Sequence, residues 1–202
     1  MKTVNLPNEI AAYDLETGED GCPNKKTHFY EFKEYATLIK LIESLPHNLK
    51  LLRDSEKSFE QFLFIVDTYQ EQPHLIDPFL NEIFDKLINT IKQNMSDGTV
   101  CNKEKDAIIN ECFKYMHCLT KMRGFKKIVQ YLPHEINDFE PVLALLARQD
   151  LTDVYSWQTR YMLLIWLSIV CMIPFDLTRF NSINESDNNT ILKRFLDIVS
   201  VS

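Results

Sequence analysis

Apolar positions take on a helical rhythm from about His28 onwards. Phe32, Tyr35, Ile39 and Ile42 recur three and four residues apart, which sets them on one face of a helix over 28–45 that Pro46 is expected to end. Asp54 or Ser55 is placed to cap a second helix, whose stripe is Phe59, Phe62, Leu63, Val66 and Tyr69. Asp77 followed by Pro78 is a start signal, because the carboxylate accepts from free N–H groups while proline fills a position with no intrahelical partner. Phe79, Leu80, Ile83, Phe84, Leu87, Ile88 and Ile91 then follow in register.

Asn102 is placed to cap a fourth helix carrying Ile108, Ile109, Cys112, Phe113, Met116 and Leu119, and Gly124 to stop it in a left-handed conformation. A short piece over 125–132 halts before Pro133. Asn137 or Asp138 opens DFEPVLALLAR, where Pro141 is tolerable only in the first turn. Thr152 or Asp153 starts a long helix to Ile173. Within that region Tyr161 to Phe175 carries no charge, and Arg160 and Asp176 close the run. Fifteen helical residues reach about 22 Å against a hydrocarbon core of ~30 Å, so the run predicts a central helix buried on nearly every face and no membrane insertion. Residues 181–189 read as a polar linker, and 190–202, TILKRFLDIVSVS, as the start of one more amphipathic helix.

No stretch alternates apolar and polar residues over a strand's length, so the prediction is all-α. Helices joined by short polar turns and paired every 40 to 50 residues or so are expected of a HEAT or armadillo-like helical repeat solenoid over 28–180. A compact helical bundle would show much the same periodicities. The opening 27 residues are polar and acidic, with two glycines and two prolines, and are expected to be a mobile tail.

Composition narrows the functional classes. With 202 residues and 45% hydrophobic content, one continuous folded unit is the economical reading. Lys+Arg 22 against Asp+Glu 29 gives −7, the wrong sign for a nucleic-acid backbone. The first residues, MKTVNLPNEI, hold no apolar signal core, so the chain is expected in the cytosol. Five scattered cysteines fit reduced thiols better than a disulfide framework.

Three stretches are more specific: YQEQPHLIDPFL at 69–80, TKMRGFKKIVQYLPHEINDFEPVLALL at 120–146, and WQTRYMLLIWLSIVCMIPFDLTRF at 157–180. In order along the chain, they resemble the N-terminal region of the tubulin-folding cofactor D family, a likeness that spans roughly 59–180 and rests on elements such as RGF, PHE, EPVL, TRYMLL and IPFD. The resemblance implies a HEAT-repeat protein that holds β-tubulin and helps join it to α-tubulin. It further implies that this work is shared with tubulin cofactors C and E and an ADP-ribosylation-factor-like small GTPase at the microtubule cytoskeleton. Stimulation of GTP hydrolysis by tubulin would belong to that complex. Members of the family are much longer, so the chain is expected to be an N-terminal fragment or a short relative, and the alternative function is a truncated interaction scaffold that does not handle tubulin.

No motif predicts a catalytic centre, a metal site or a bound cofactor. HEIND at 134–138 begins like HExxH, but Asp138 stands where the second histidine belongs, and Pro133 puts the string in a turn. Cys112 and Cys118 point about 240° apart on a helix and read as core residues. Ser168 is expected to bond back to a carbonyl of its own helix. Arg123, Arg148, Arg160 and Arg179 could be proposed as arginine fingers, but helix-end or inter-helix pairing is the ordinary role. The strongest local feature is KMRGFKK, four basic residues in seven. Lys121 and Arg123 complement a helix C-terminus, whereas Lys126 and Lys127 open the next piece, where positive charge is unfavourable. The four are candidates for meeting an acidic partner, with Gln70, Gln72 and His74 placed in a turn on the same edge.

Overall fold

The structure is a computed structural model and describes residues 31–48, 52–95, 103–150, 152–172 and 197. It contains the helices α1 (Tyr35–Asn48), α2 (Leu52–Thr68), α3 (Asp77–Asn94), α4 (Lys103–Arg123), α5 (Phe125–Ile128), α6 (Phe139–Ala147) and α7 (Trp157–Cys171). Single 3-10 turns occupy Pro73–Ile76, Val129–Tyr131, Ile136–Asp138 and Val154–Ser156. No strand occurs among the described residues. The opening 27 residues, Asn102, the linker over 181–189 and, apart from Asp197, the segment over 190–202 lie outside the described residues.

Helices that follow one another pack as pairs: α1 on α2, α3 on α4, and α6 on α7. α4 joins the pairs, touching α1 and α2 on one side and α7 on the other. This serial stacking is that of an armadillo-like helical repeat solenoid. α4 buries Ile109, Cys112, Phe113, Tyr115, Met116 and Leu119. The Tyr115 ring lies 5.3 Å from that of Phe59 and 4.3 Å from that of Phe62 on α2, and Phe113 meets Trp166 of α7 edge-on at 6.5 Å. Each such buried side chain contributes roughly 1.5–3 kcal/mol. Polar bonds fix the register. Thr159 donates to Asn110 Oδ1 at 3.0 Å, and Trp166 Nε1 donates to the Pro133 carbonyl at 3.0 Å.

Several local expectations change. Pro46 lies inside α1, which runs on to Asn48. A side-chain network supports that last turn: Ser44 Oγ donates to the Leu41 carbonyl at 2.8 Å, and Asn48 Nδ2 donates to Ser44 Oγ at 2.9 Å and to Ser58 Oγ of α2 at 2.8 Å. α2 starts at Leu52, ahead of both proposed caps, and Ser55 is buried, with its hydroxyl facing Glu111 of α4 at 3.4 Å. Asp77 forms no side-chain cap on α3. Neither Thr152 nor Asp153 opens α7; Thr152 closes a turn on Asp150 Oδ1 through its N–H at 2.8 Å, and a 3-10 turn intervenes.

The largest difference concerns α7. The central helix is α4, and α7 keeps one face open: Trp157, Tyr161, Ser168 and Met172 are exposed along it, with Leu164 half-buried between them. These positions follow at spacings of four, three, four and four, one helical face. The absence of charge in the run signalled apolar content, whereas the phase of Trp157, Tyr161 and Ser168 decides which side is covered. Pro141 falls in the first turn of α6, the place where its missing N–H costs no intrahelical bond.

Candidate functional site

The basic junction is built around Gly124. α4 ends when the Gly124 N–H donates to the Thr120 carbonyl at 2.8 Å, and the Gly124 carbonyl accepts from the N–H groups of Lys127 and Ile128 in α5. Gly124 has φ 81° and ψ 144°. The positive φ favours glycine, but ψ is extended, so the turn is not the helical left-handed cap that the sequence suggested. The consequence is an abrupt change of direction that separates Lys121 and Arg123 on α4 from Lys126 and Lys127 on α5.

The four cations fall into distinct environments. Arg123 Nε and Nη2 each bond one oxygen of Asp77, both at 2.6 Å, with both side chains largely buried. Lys127 Nζ approaches Asp77 Oδ2 at 3.9 Å. Lys121 and Lys126 are exposed and have no ion pair among the described residues. Asp77 thus closes α3 onto the end of α4 and answers two of the four charges, leaving two lysines facing outwards.

The same clamp draws in the preceding turn. Pro73–Ile76 runs directly into α3 and packs against α4. Gln70 and His74 are exposed there, and Gln72 is half-buried with its N–H on the Tyr69 carbonyl at 3.0 Å. Gln70, Gln72 and His74 therefore share an end of the stack with the basic junction. Next along α4, the ring of His117 lies edge-on to those of Trp157 at 4.7 Å and Tyr161 at 5.4 Å. Burial first, and then the charge of Lys121, hold its imidazole below the usual histidine range.

The remaining candidates are absorbed by the fold. Burial pushes the Cys112 thiol up to about 12 and Cys118 to about 11, so neither is a thiolate at neutral pH. HEIND lies in an irregular stretch and a 3-10 turn, and its Asp138 pairs with Lys92 at 2.9 Å. Ser168 Oγ donates to the Ile165 carbonyl at 2.7 Å. Arg148 approaches Asp106 at 3.9 Å, Arg160 donates to the Asp150 carbonyl, and Arg179 lies outside the described residues. Among the described residues no three His, Cys, Asp or Glu side chains are grouped to hold a metal ion, and no helix is long and apolar enough to cross a membrane.

Sequence reasoning missed two features here. Asp77 read as a cap because Asp-Pro is a local signal, while its partner Arg123 stands 46 residues on. A second omission is the apolar groove beside the junction, between α5 and α7, to which Phe125, Val129, Ile165, Ile169 and Met172 contribute. Phe125, immediately after the glycine, was its visible trace.

Comparison with known proteins agrees with this architecture. The chain is 32% identical over 132 residues to the tubulin-specific chaperone D of Dictyostelium discoideum, an alignment that covers 58% of this chain and 9% of that protein. No solved structure matches the chain. The model of the family described as tubulin-specific chaperone D-like, ARM repeat, matches residues 66–201, from the end of α2 through α7 and beyond, and the chain belongs to that family.

Proposed function

We propose that this chain is a tubulin-folding chaperone module, a non-enzymatic scaffold that works through its surface in the cytoplasm. In this reading it contributes to holding β-tubulin and to assembling or disassembling the α/β-tubulin heterodimer, together with tubulin cofactors C and E and an ADP-ribosylation-factor-like small GTPase. Any effect on GTP hydrolysis by tubulin belongs to the cofactor complex. The supporting observation is the junction itself: in a chain of net charge −7, Lys121 and Lys126 stand exposed, without ion pairs among the described residues, beside the clamp between Arg123 and Asp77. Exposed charge of one sign on a rigid edge favours encounter with a partner of the opposite sign.

The test is a pull-down with tubulin and the small GTPase both probed, at low and high salt, comparing the wild-type chain with Lys121→Glu/Lys126→Glu. Capture of tubulin by the wild type, fading with salt and lost on charge reversal with the fold intact, is the expected result. Capture of neither partner by the wild type removes the tubulin reading, and equal capture by both chains removes the lysines from it.

A further inference from the structure

Gly124 turns α5 away from α4, and the Val129–Tyr131 turn then meets α7. A groove of about 790 Å³ opens between α5 and α7. Val129, Ile165 and Ile169 form its apolar lining, and Phe125 and Met172 stand 50% and 82% exposed on its borders. Large apolar side chains this open are costly in water, and together with the lining they form a continuous apolar strip. The polar groups of the groove are few. Besides Gln130 and His134 they are Ser168, which is bonded to its own helix, and Lys126, which brings the formal charge and has no ion pair among the described residues. Among the described residues no carboxylate lines the groove, although acids outnumber bases in the chain.

An open channel between two helical segments, apolar along its length and basic on one border, is the complement of a helix that is apolar on one side and acidic on the other. We propose that the groove between α5 and α7 binds an acidic amphipathic helix presented by a partner protein. The helix's apolar side chains would seat between Phe125 and Met172, and a carboxylate would meet Lys126. The proposal deepens the reading of the chain as a partner-binding scaffold and rests on it. Lys121, on the other side of the junction, is not part of the groove.

The experiment uses the full chain and a fluorescent peptide of about sixteen residues, long enough for four helical turns, with leucine at helical spacing and glutamate elsewhere. A second peptide replaces every glutamate with lysine. Binding is read by anisotropy, and folding of each variant by circular dichroism. The glutamate peptide should bind and the lysine peptide should not. Met172→Glu, at a position already exposed, should weaken binding about tenfold, and Lys126→Glu about threefold with loss of the salt dependence. Equal binding of both peptides, or unchanged binding by both variants, overturns the proposal. Binding that appears only in Leu192→Asp/Phe195→Asp would mean that the chain's own downstream segment is the occupant. A dimer abolished by Met172→Glu would mean that a second copy is. Either result also overturns it. Failure of the peptide with tubulin capture intact removes the groove alone, whereas peptide binding without tubulin capture removes the tubulin reading and keeps the groove.

Discussion

α4 and α7 are the two helices that hold the stack together, and they reach that role from opposite compositions. α4 has lysines, acids and an arginine along its length, yet Ile109, Cys112, Phe113, Tyr115, Met116 and Leu119 are fully buried. α7 has an almost uncharged sequence, yet Tyr161 remains 40% exposed and Met172 82%. The difference is position in the stack. α4 has pairs on both sides, so even its moderately apolar faces are covered; α7 presents one face to the groove and to solvent. Apolar content measures how much a helix could bury, and its neighbours determine how much it does.

Substitution should separate the two helices most clearly. Phe113→Ala in α4 is expected to cost about 3–5 kcal/mol, because a fully buried ring leaves a cavity that the packed interior closes only in part. Tyr161→Ala on the open face of α7 should cost about 1 kcal/mol or less, as expected for a surface position. Urea unfolding monitored by circular dichroism measures both. Comparable losses would mean that α7 is as enclosed as α4.

The clamp and the free lysines form a smaller contrast of the same kind. Arg123→Ala removes two charge-assisted bonds to Asp77 and should cost about 1.5–3 kcal/mol. Lys126→Ala should stay within about 0.5 kcal/mol of wild type. A double-mutant cycle of Arg123→Ala with Asp77→Ala should return a coupling close to the single losses, and additive losses would dissolve the clamp.

The smallest effect is pH dependence at the α4–α7 contact. His117 titrates lower in the folded chain than its ordinary value of 6.5, through burial and then Lys121. The unfolded chain therefore takes up this proton at higher pH. The contribution of His117 to stability is complete above about 6.5 and is lost as the pH falls below it toward the folded value. Wild type should lose more stability over that acid range than His117→Gln does, and parallel curves would count against the half-buried imidazole.

What could be read from the sequence was local. Helix positions followed from the spacing of Phe79 to Ile91 and of Ile108 to Leu119, and the Pro141 position from the first-turn rule. What could not be read depended on pairing across the chain. Asp77 gives up the cap for Arg123, Ser55 gives it up for Glu111, and Ser44, Asn48 and Ser58 together carry α1 past Pro46. KMRGFKK was visible as charge, but its division into a clamped arginine and two open lysines appears only once α3 lies against α4.

Sedimentation velocity with purified tubulin and purified chain tests most directly whether the exposed basic edge meets tubulin, comparing wild type, Lys121→Glu/Lys126→Glu and a control of equal net charge that reverses two exposed lysines away from the junction, Lys57→Glu/Lys103→Glu. Tubulin should co-sediment with wild type and with the control, and no longer with the chain reversed at the junction. Equal co-sedimentation of all three, or of none, would contradict the account.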